Sequence, residues 1–246
     1  MWIVRQVWIP KQCPTGISPT GDSESAAGPL TVSFPAQQPA VRQACNTAAV
    51  IVCGGQSKRM GRDKSQLLLG SCTLLQHTVD RIRNALPDAP LIVAAAASQT
   101  IPPLQNNVTV VRDESVGRGP LEGIRAAQNL LGASPRRVFL CGCDTPLLHP
   151  AIISLLIDAC PPDSAVLPVD ENREYPLCSV VSTAVLQQAS SLIENGCRRL
   201  RDLFTAPTVR RMALAELRVV DRSLHSLLNV NTPEDYRLLL RLRETL

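Results

Sequence analysis

From Ala48 onward, short apolar runs alternate with stretches in which apolar residues recur every three or four positions. Runs rich in valine, isoleucine, leucine and alanine, bounded by glycine, proline or polar residues, predict strands at 48–53, 91–96, 108–111, 137–141, 165–169 and 177–182. After Thr73, residues Leu75, Val79, Ile82 and Leu86 share one helical face at steps of four, three and four. Residues 121–131, 151–159 and 233–242 also read as helices, the last opened by Thr232-Pro233 as cap and first turn. Strands alternating with helices predict an α/β fold with a doubly wound, mostly parallel sheet. The scarcity of aromatics, 3% against 45% hydrophobic residues, leaves Val, Ile, Leu and Ala to build the core. That palette suits parallel strands buried on both faces.

Residues 1–46 break the rhythm. The stretch PTGISPTGDSESAAGPLTVSFPAQQPA is rich in Pro, Gly, Ser and Ala and lacks periodicity. It predicts a disordered N-terminal extension over 1–46, followed by one folded domain over 47–246. The opening MWIVRQVWIP is interrupted by Arg5 and lacks a basic n-region, an h-region and a small-residue cleavage site, so no signal peptide is expected. No apolar run approaches the ~20 residues that a membrane-spanning helix needs. Nine cysteines, none in a C-x-x-C pair, read as reduced thiols of a cytoplasmic protein. Cys141-Gly-Cys143 is the nearest approach to a metal pair, without partners at zinc-like spacing. A net charge of +4 suits an anionic small molecule and falls short of the basic stripe that nucleic acid requires.

Four segments carry candidate chemistry. In VIVCGGQSKRMGRDKSQLLLG, an apolar run ends in Gly54 and Gly55, and Lys58, Arg59, Arg62 and Lys64 follow. The spacing fits neither G-x-x-x-x-G-K-[ST] nor G-x-G-x-x-G. Two glycines still admit a ligand close to the backbone, and Arg59 and Lys64 can neutralise phosphates. In FLCGCDTPLLHP, Asp144 follows a strand at its carboxyl end, where ligands of parallel sheets bind and where a lone carboxylate suits Mg²⁺. In VVRDESVGRGPLEGI, Asp113 ends a strand, and Gly117, Gly119 and Pro120 form a loop that opens a helix. In LLNVNTPEDYRLLL, Asn229 and Asn231 lie two apart, so in an extended segment both amides face one site; taken alone, Asn231 reads best as a helix cap. Arg198, Arg199 and Arg201 form either a solvated face or a contact for a second anionic substrate. His77, His149 and His225 show neither ligand spacing nor a nucleophile partner.

In this order, the segments resemble the molybdenum cofactor guanylyltransferase family of nucleotidyltransferases. The likeness rests on V-C-G-G-Q-S-K-R-M-G-R-D-K at 52–64, G-P-L-E-G-I at 119–124 and C-D-T-P at 143–146. It extends through G-C-R-R-L-R at 196–201 and N-V-N-T-P-E-D at 229–235, and covers residues 48–244. The resemblance implies a Rossmann-like nucleotidyltransferase domain that transfers GMP from GTP to the terminal phosphate of Mo-molybdopterin, releasing pyrophosphate with Mg²⁺ as cofactor. It implies that Cys53, Gly54 and Gly55 hold the nucleotide through backbone groups, that Lys64 binds phosphates and that Asp113 contacts the nucleotide. It assigns Asp144 to Mg²⁺, with Asn229 or Asn231 completing the metal site, and Arg59 and Lys64 to the departing pyrophosphate. GTP and Mo-molybdopterin are then the partners, with molybdoenzyme apoproteins or other cofactor-biosynthesis proteins, and no nucleic acid or membrane.

Three positions depart from the pattern. Cys53 replaces the usual Ala, Ala94 stands where relatives often carry a nucleotide-contacting Asn, and Tyr175 stands where some have His. The acceptor, a phosphate monoester with a second pKa near ~6, is largely dianionic at neutral pH and needs no general base. The absence of a visible His or Glu dyad is consistent with that, and the work falls to positioning and charge neutralisation. Transfer from CTP, a sugar 1-phosphate acceptor, or a non-catalytic GTP-binding delivery role remain the alternatives.

Overall fold

The seven-stranded sheet that organises the chain has the order β5-β4-β1-β6-β8-β7-β9. The structure, a computed structural model, describes residues 46–53, 60–112, 119–132 and 135–245, for 244 and 245 the backbone alone. The expected extension over 1–46 lies outside these residues except for Asn46, whose carbonyl accepts the N–H groups of Arg136 and Arg137. Gly54, Gly55, Lys58, Arg59 and Asp113 also lie outside them.

The strands are β1 (Thr47–Val52), β2 (Leu68–Leu69), β3 (Cys72–Thr73), β4 (Leu91–Ala95), β5 (Thr109–Arg112), β6 (Arg137–Gly142), β7 (Ala165–Val169), β8 (Cys178–Ser182) and β9 (Arg210–Ala213). The helices are α1 (Leu74–Ala85), α2 (Pro120–Leu131), α3 (Pro150–Ala159), α4 (Thr183–Leu186), α5 (Gln188–Glu194), α6 (Leu214–Leu217) and α7 (Pro233–Thr245). All six predicted strands and four predicted helices form, with no end shifted by more than three residues. β1 pairs in parallel with β4 and β6, β4 with β5, and β7 with β9. β8 runs antiparallel to both β6 and β7, because the short turn after β7 reverses the chain directly. The β2–β3 hairpin, β9, α4, α5 and α6 escape the apolar pattern. They are short or arginine-bearing, and elements of this length are held by packing rather than propensity.

Alternation along β1 divides the core. Ala49, Ile51 and Cys53 face one side, packed with Val79 and Ile82 of α1 and Ile152, Ile153 and Leu156 of α3. Ala48, Val50 and Val52 face the other, with Leu121 and Ile124 of α2 and Val185, Leu186, Leu203 and Phe204. Burying each such Leu or Ile stabilises by roughly 1.5–3 kcal/mol, so the two covered faces outweigh any local preference. A third cluster of Leu69, Leu74, Leu147, Val230 and Leu239 fixes α7 beside the carboxyl end of β6. At the opposite edge, Arg83 donates to the carbonyls of Leu86, Pro87, Ala89, Asn106 and Asn107, and burial lowers its pKa.

Chain order leaves β1 toward β4 and β5 on one side and returns to β6 on the other. The carboxyl ends of β1 and β6 therefore flank a topological switch point, the crevice where open α/β sheets bind ligands.

Candidate active site

Segments distant in sequence converge at that crevice. Lys64 opens a 3₁₀ turn (Lys64–Gln66) capped by Asp63, whose carboxylate accepts the Ser65 N–H at 2.9 Å and hydroxyl at 2.7 Å. Gly61, at φ +66°, supplies the left-handed backbone by which the chain turns into this cap. Gln99, from the loop after β4, donates to both Asp63 carboxylate oxygens at 3.1 and 3.0 Å and to the Cys53 carbonyl at 3.2 Å. One amide thus ties the end of β1 to the turn that presents Lys64.

Asp144 arrives from β6. The Cys143 N–H donates to the Val52 carbonyl at 3.2 Å, and the Thr145 hydroxyl donates to the Gly142 carbonyl at 3.0 Å. These bonds fold the chain so tightly that a Cβ on Gly142 would lie 2.4 Å from Asp144 Oδ1. The Asp144 carbonyl accepts the Val230 N–H at 3.0 Å, which lays the Asn229–Asn231 segment alongside. Lys64 Nζ then donates to Asp144 Oδ2 at 3.1 Å and to Asn231 Oδ1 at 2.6 Å. The Lys64 and Asp144 side chains are each 16% exposed, open enough to meet a ligand and shielded enough for their charges to matter.

Asn231 does not cap α7. Thr232 does, accepting the Asp235 N–H at 3.2 Å, while Asp235 Oδ2 accepts the N–H groups of Asn231 and Thr232 at 2.9 and 2.8 Å. This capping box frees the Asn231 amide for Lys64. Burial raises the Asp235 pKa, but those N–H donors, the Thr232 hydroxyl and the Lys64 charge outweigh it and hold the carboxyl below its usual value.

Beside the ion pair lies a cleft of about 620 Å³ lined by Arg173, Tyr175, Arg198, Arg199, Arg201 and Asn229, among others. The arginine run expected as a solvated face or a second-substrate contact is thus exposed and lines a concave surface. Asp170 accepts the N–H groups of Asn172 and Arg173 and the Tyr175 hydroxyl, and the Asn172 bond leads in holding its carboxyl below the usual value. The turn so formed sets the Arg173 guanidinium 4.8 Å from the centre of the Tyr175 ring. Gly119, at φ +85°, packs against the arginine run; a Cβ there would stand 2.6 Å from the Arg198 carbonyl. Leu177 lines the cleft and also lies 3.6 Å from where a Gly142 Cβ would project, so the cleft adjoins the Asp144 turn.

Other expectations sharpen. The Cys53 N–H already donates to the Ala94 carbonyl at 2.8 Å, so its backbone offers a ligand only its carbonyl. Ala94 is buried, and the Cβ that Gly123 of α2 lacks would lie 3.2 Å from it. Cys141 and Cys143 are buried free thiols, and no cluster of three or more His, Cys, Asp or Glu suited to a metal exists among the described residues. His149 caps α3 by accepting the Ala151 N–H, and a His77 ring nitrogen bonds the Leu69 carbonyl. Sequence reasoning missed Gln99, Gly142 and Asp235. Asp235 stood in a recognisable N-terminal helix signature, whereas Gln99 carries no local signal.

An open α/β sheet with a lysine–carboxylate pair at its switch point and an arginine-lined cleft beside it defines a nucleotidyltransferase-type domain. The chain belongs to the MobA-like NTP transferase family, whose model matches residues 49–212. A protein of Mycobacterium avium named probable molybdenum cofactor guanylyltransferase is 35% identical over 204 residues, covering 80% of this chain and 96% of that one. The crystal structure of molybdopterin-guanine dinucleotide biosynthesis protein A from Archaeoglobus fulgidus superposes with a TM-score of 0.62 at 20% identity, covering 81% of this chain and all of that one. A manganese complex from Mycobacterium tuberculosis superposes with a TM-score of 0.52 at 21% identity, covering 80% and 98%. No helix of the described residues is long and apolar enough to cross a membrane.

Proposed function

We propose that the chain is a molybdenum cofactor guanylyltransferase that moves GMP from GTP to the terminal phosphate of Mo-molybdopterin and releases pyrophosphate. The observation that carries the reading is the junction of Lys64, Asp144 and Asn231 at the switch point, next to a cleft lined by four arginines. The name of the Mycobacterium avium relative supports the same substrates.

Lys64 has three N–H donors and spends two on Asp144 and Asn231, which leaves one for a phosphate oxygen. Asp144 and Asn231 present hard oxygen ligands, the chemistry that Mg²⁺ takes in ones and twos beside phosphates and water. That donor set fits the ion, and the manganese-bound relative supports a divalent site. When bound, the ion neutralises triphosphate charge and makes pyrophosphate a better leaving group. Lys64 holds the same charge from the protein side, and Arg59 is assigned to the departing pyrophosphate. Gly54, Gly55 and Asp113 are assigned to the nucleotide, with Cys53 contributing its carbonyl. Arg173, Arg198, Arg199 and Arg201 draw the anionic acceptor into the cleft, where positioning replaces a general base.

The test is pyrophosphate release by the purified protein with Mg²⁺ and Mo-molybdopterin, comparing GTP, CTP and ATP. Release with GTP alone is expected. Release with CTP alone would keep the mechanism and overturn the base, a point on which Ala94 bears because it offers no amide. Silence with all three, alongside turnover of a hexose 1-phosphate, would overturn the acceptor. GTP binding without pyrophosphate release would leave a delivery protein.

A further inference from the structure

Four thiols, Cys53, Cys141, Cys143 and Cys178, share one face of the sheet beneath the Lys64–Asp144 pair. β1 and β6 run in register, Ile51 beside Cys141 and Val52 beside Gly142, so the next rung sets Cys53 beside Cys143. The Cys143 N–H donates to the Val52 carbonyl, which keeps that rung closed past the ends of both strands. Cys53 lies two residues beyond Ile51 and Cys143 two beyond Cys141, and all four side chains enter the same core cluster. The neighbouring Cys143 thiol, and burial after it, push the Cys53 thiol well above its usual pKa. Neighbouring strands stand about 4.8 Å apart, within the ~4.4–6.8 Å between Cα atoms that a disulfide spans. Cys53 and Cys143 are each 6% exposed, whereas Cys141 is sealed at 0% and Cys178 at 2%. An oxidant entering from the crevice therefore meets this pair first.

We infer that Cys53 and Cys143 form a redox-active dithiol that a small disulfide oxidant converts to a bridge across the carboxyl ends of β1 and β6. One thiol loses its proton and attacks the oxidant's S–S bond, expelling one thiolate and forming a mixed disulfide. The second thiol displaces the other half, so one protein S–S bond forms and two oxidant thiols leave with both protons. The bridge clamps the turn that carries Asp144 to the strand end that carries the Cys53 carbonyl. Its effect on GTP rests on the proposed guanylyltransferase reading; the bridge itself does not.

The full chain is treated with oxidised glutathione, blocked with N-ethylmaleimide, digested and mapped by mass spectrometry. The Cys53–Cys143 cross-link is expected at least tenfold above any other cysteine pair, and dithiothreitol removes it. A dominant Cys141–Cys178 link, glutathione adducts on Cys72 and Cys197 alone, or no cross-link would overturn the assignment. As a second measurement, phenylarsine oxide condenses with two thiols, releasing water. One equivalent is expected to protect Cys53 and Cys143 together from maleimide, and protection of any other pair overturns the proposal. Cys143→Ala is expected to abolish both signals. A bridge in that variant from Cys53 to Cys141 would also overturn it. A tenfold weaker GTP affinity in the oxidised protein, restored by dithiothreitol, is expected, and unchanged affinity with a complete bridge would remove the functional consequence while leaving the dithiol.

Discussion

The ammonium of Lys64 and the carboxylate of Asp144, 80 residues apart in the chain, meet at 3.1 Å where β1 and β6 end. Lys64 is brought there by a capped 3₁₀ turn and Asp144 by a turn that lays its carboxylate where a Cβ at position 142 would project. Without a ligand the two charges neutralise each other. In the proposed reaction, a triphosphate with its metal ion would give each of them a new partner.

Lys64→Ala and Asp144→Ala are each expected to lower turnover in the pyrophosphate assay by about a hundredfold or more, since a charged contact in a shielded site is worth ~3 kcal/mol. The two residues share one site, so the double variant is expected to lose less than the product of the single losses. Near-wild-type turnover in either single variant would remove that residue from the reaction.

Asn231→Ala removes the 2.6 Å bond that orients the Lys64 ammonium but keeps the backbone N–H that Asp235 accepts. A hydrogen bond to a charged group contributes ~1.5–3 kcal/mol, so a fall in kcat/KM of about tenfold to a hundredfold is expected with the unfolding midpoint nearly unchanged. A large loss of stability with intact kcat/KM would make Asn231 structural instead.

Gly142→Ala sets a methyl group against Asp144 Oδ1, at a position that would lie 2.4 Å away. The clashing atom is the end of a side chain, so the carboxylate swings aside and the fold survives. Turnover is expected to fall by about tenfold or more, with circular dichroism matching wild type. Full activity would show that Asp144 acts from another position.

Asp235 gives a pH dependence whose sign follows from its lowered pKa. A carboxyl held below its unfolded value stabilises the fold above that value, and the contribution drains away as pH falls through the folded one. The stability gap between wild type and Asp235→Asn, read by urea denaturation, is expected to be constant from about pH 5 to 7 and to close below about pH 4. A gap that widens on acidification would contradict the capping-box geometry.

The alternation of apolar runs with helical spacing determined the architecture. Strands buried on both faces and helices with one apolar stripe leave few other ways to cover a Val, Ile, Leu and Ala core. The same pattern missed β9, because Arg210 and Arg211 are exposed on an edge strand and hide its period. It took the Asn229–Asn231 spacing as one site and Asn231 as the better cap, since both residue types suit either role. Only the tertiary structure decided between them, by giving Asp235 to the helix start and Asn231 to Lys64. Gln99 and Gly142 were illegible for a related reason. Their roles lie in a distance to residues on another segment or across a turn, and no one-dimensional pattern encodes that. The sequence by itself determined which residues carry charge, freedom of φ and apolar surface; the parallel register of β1 and β6 decided which of them meet.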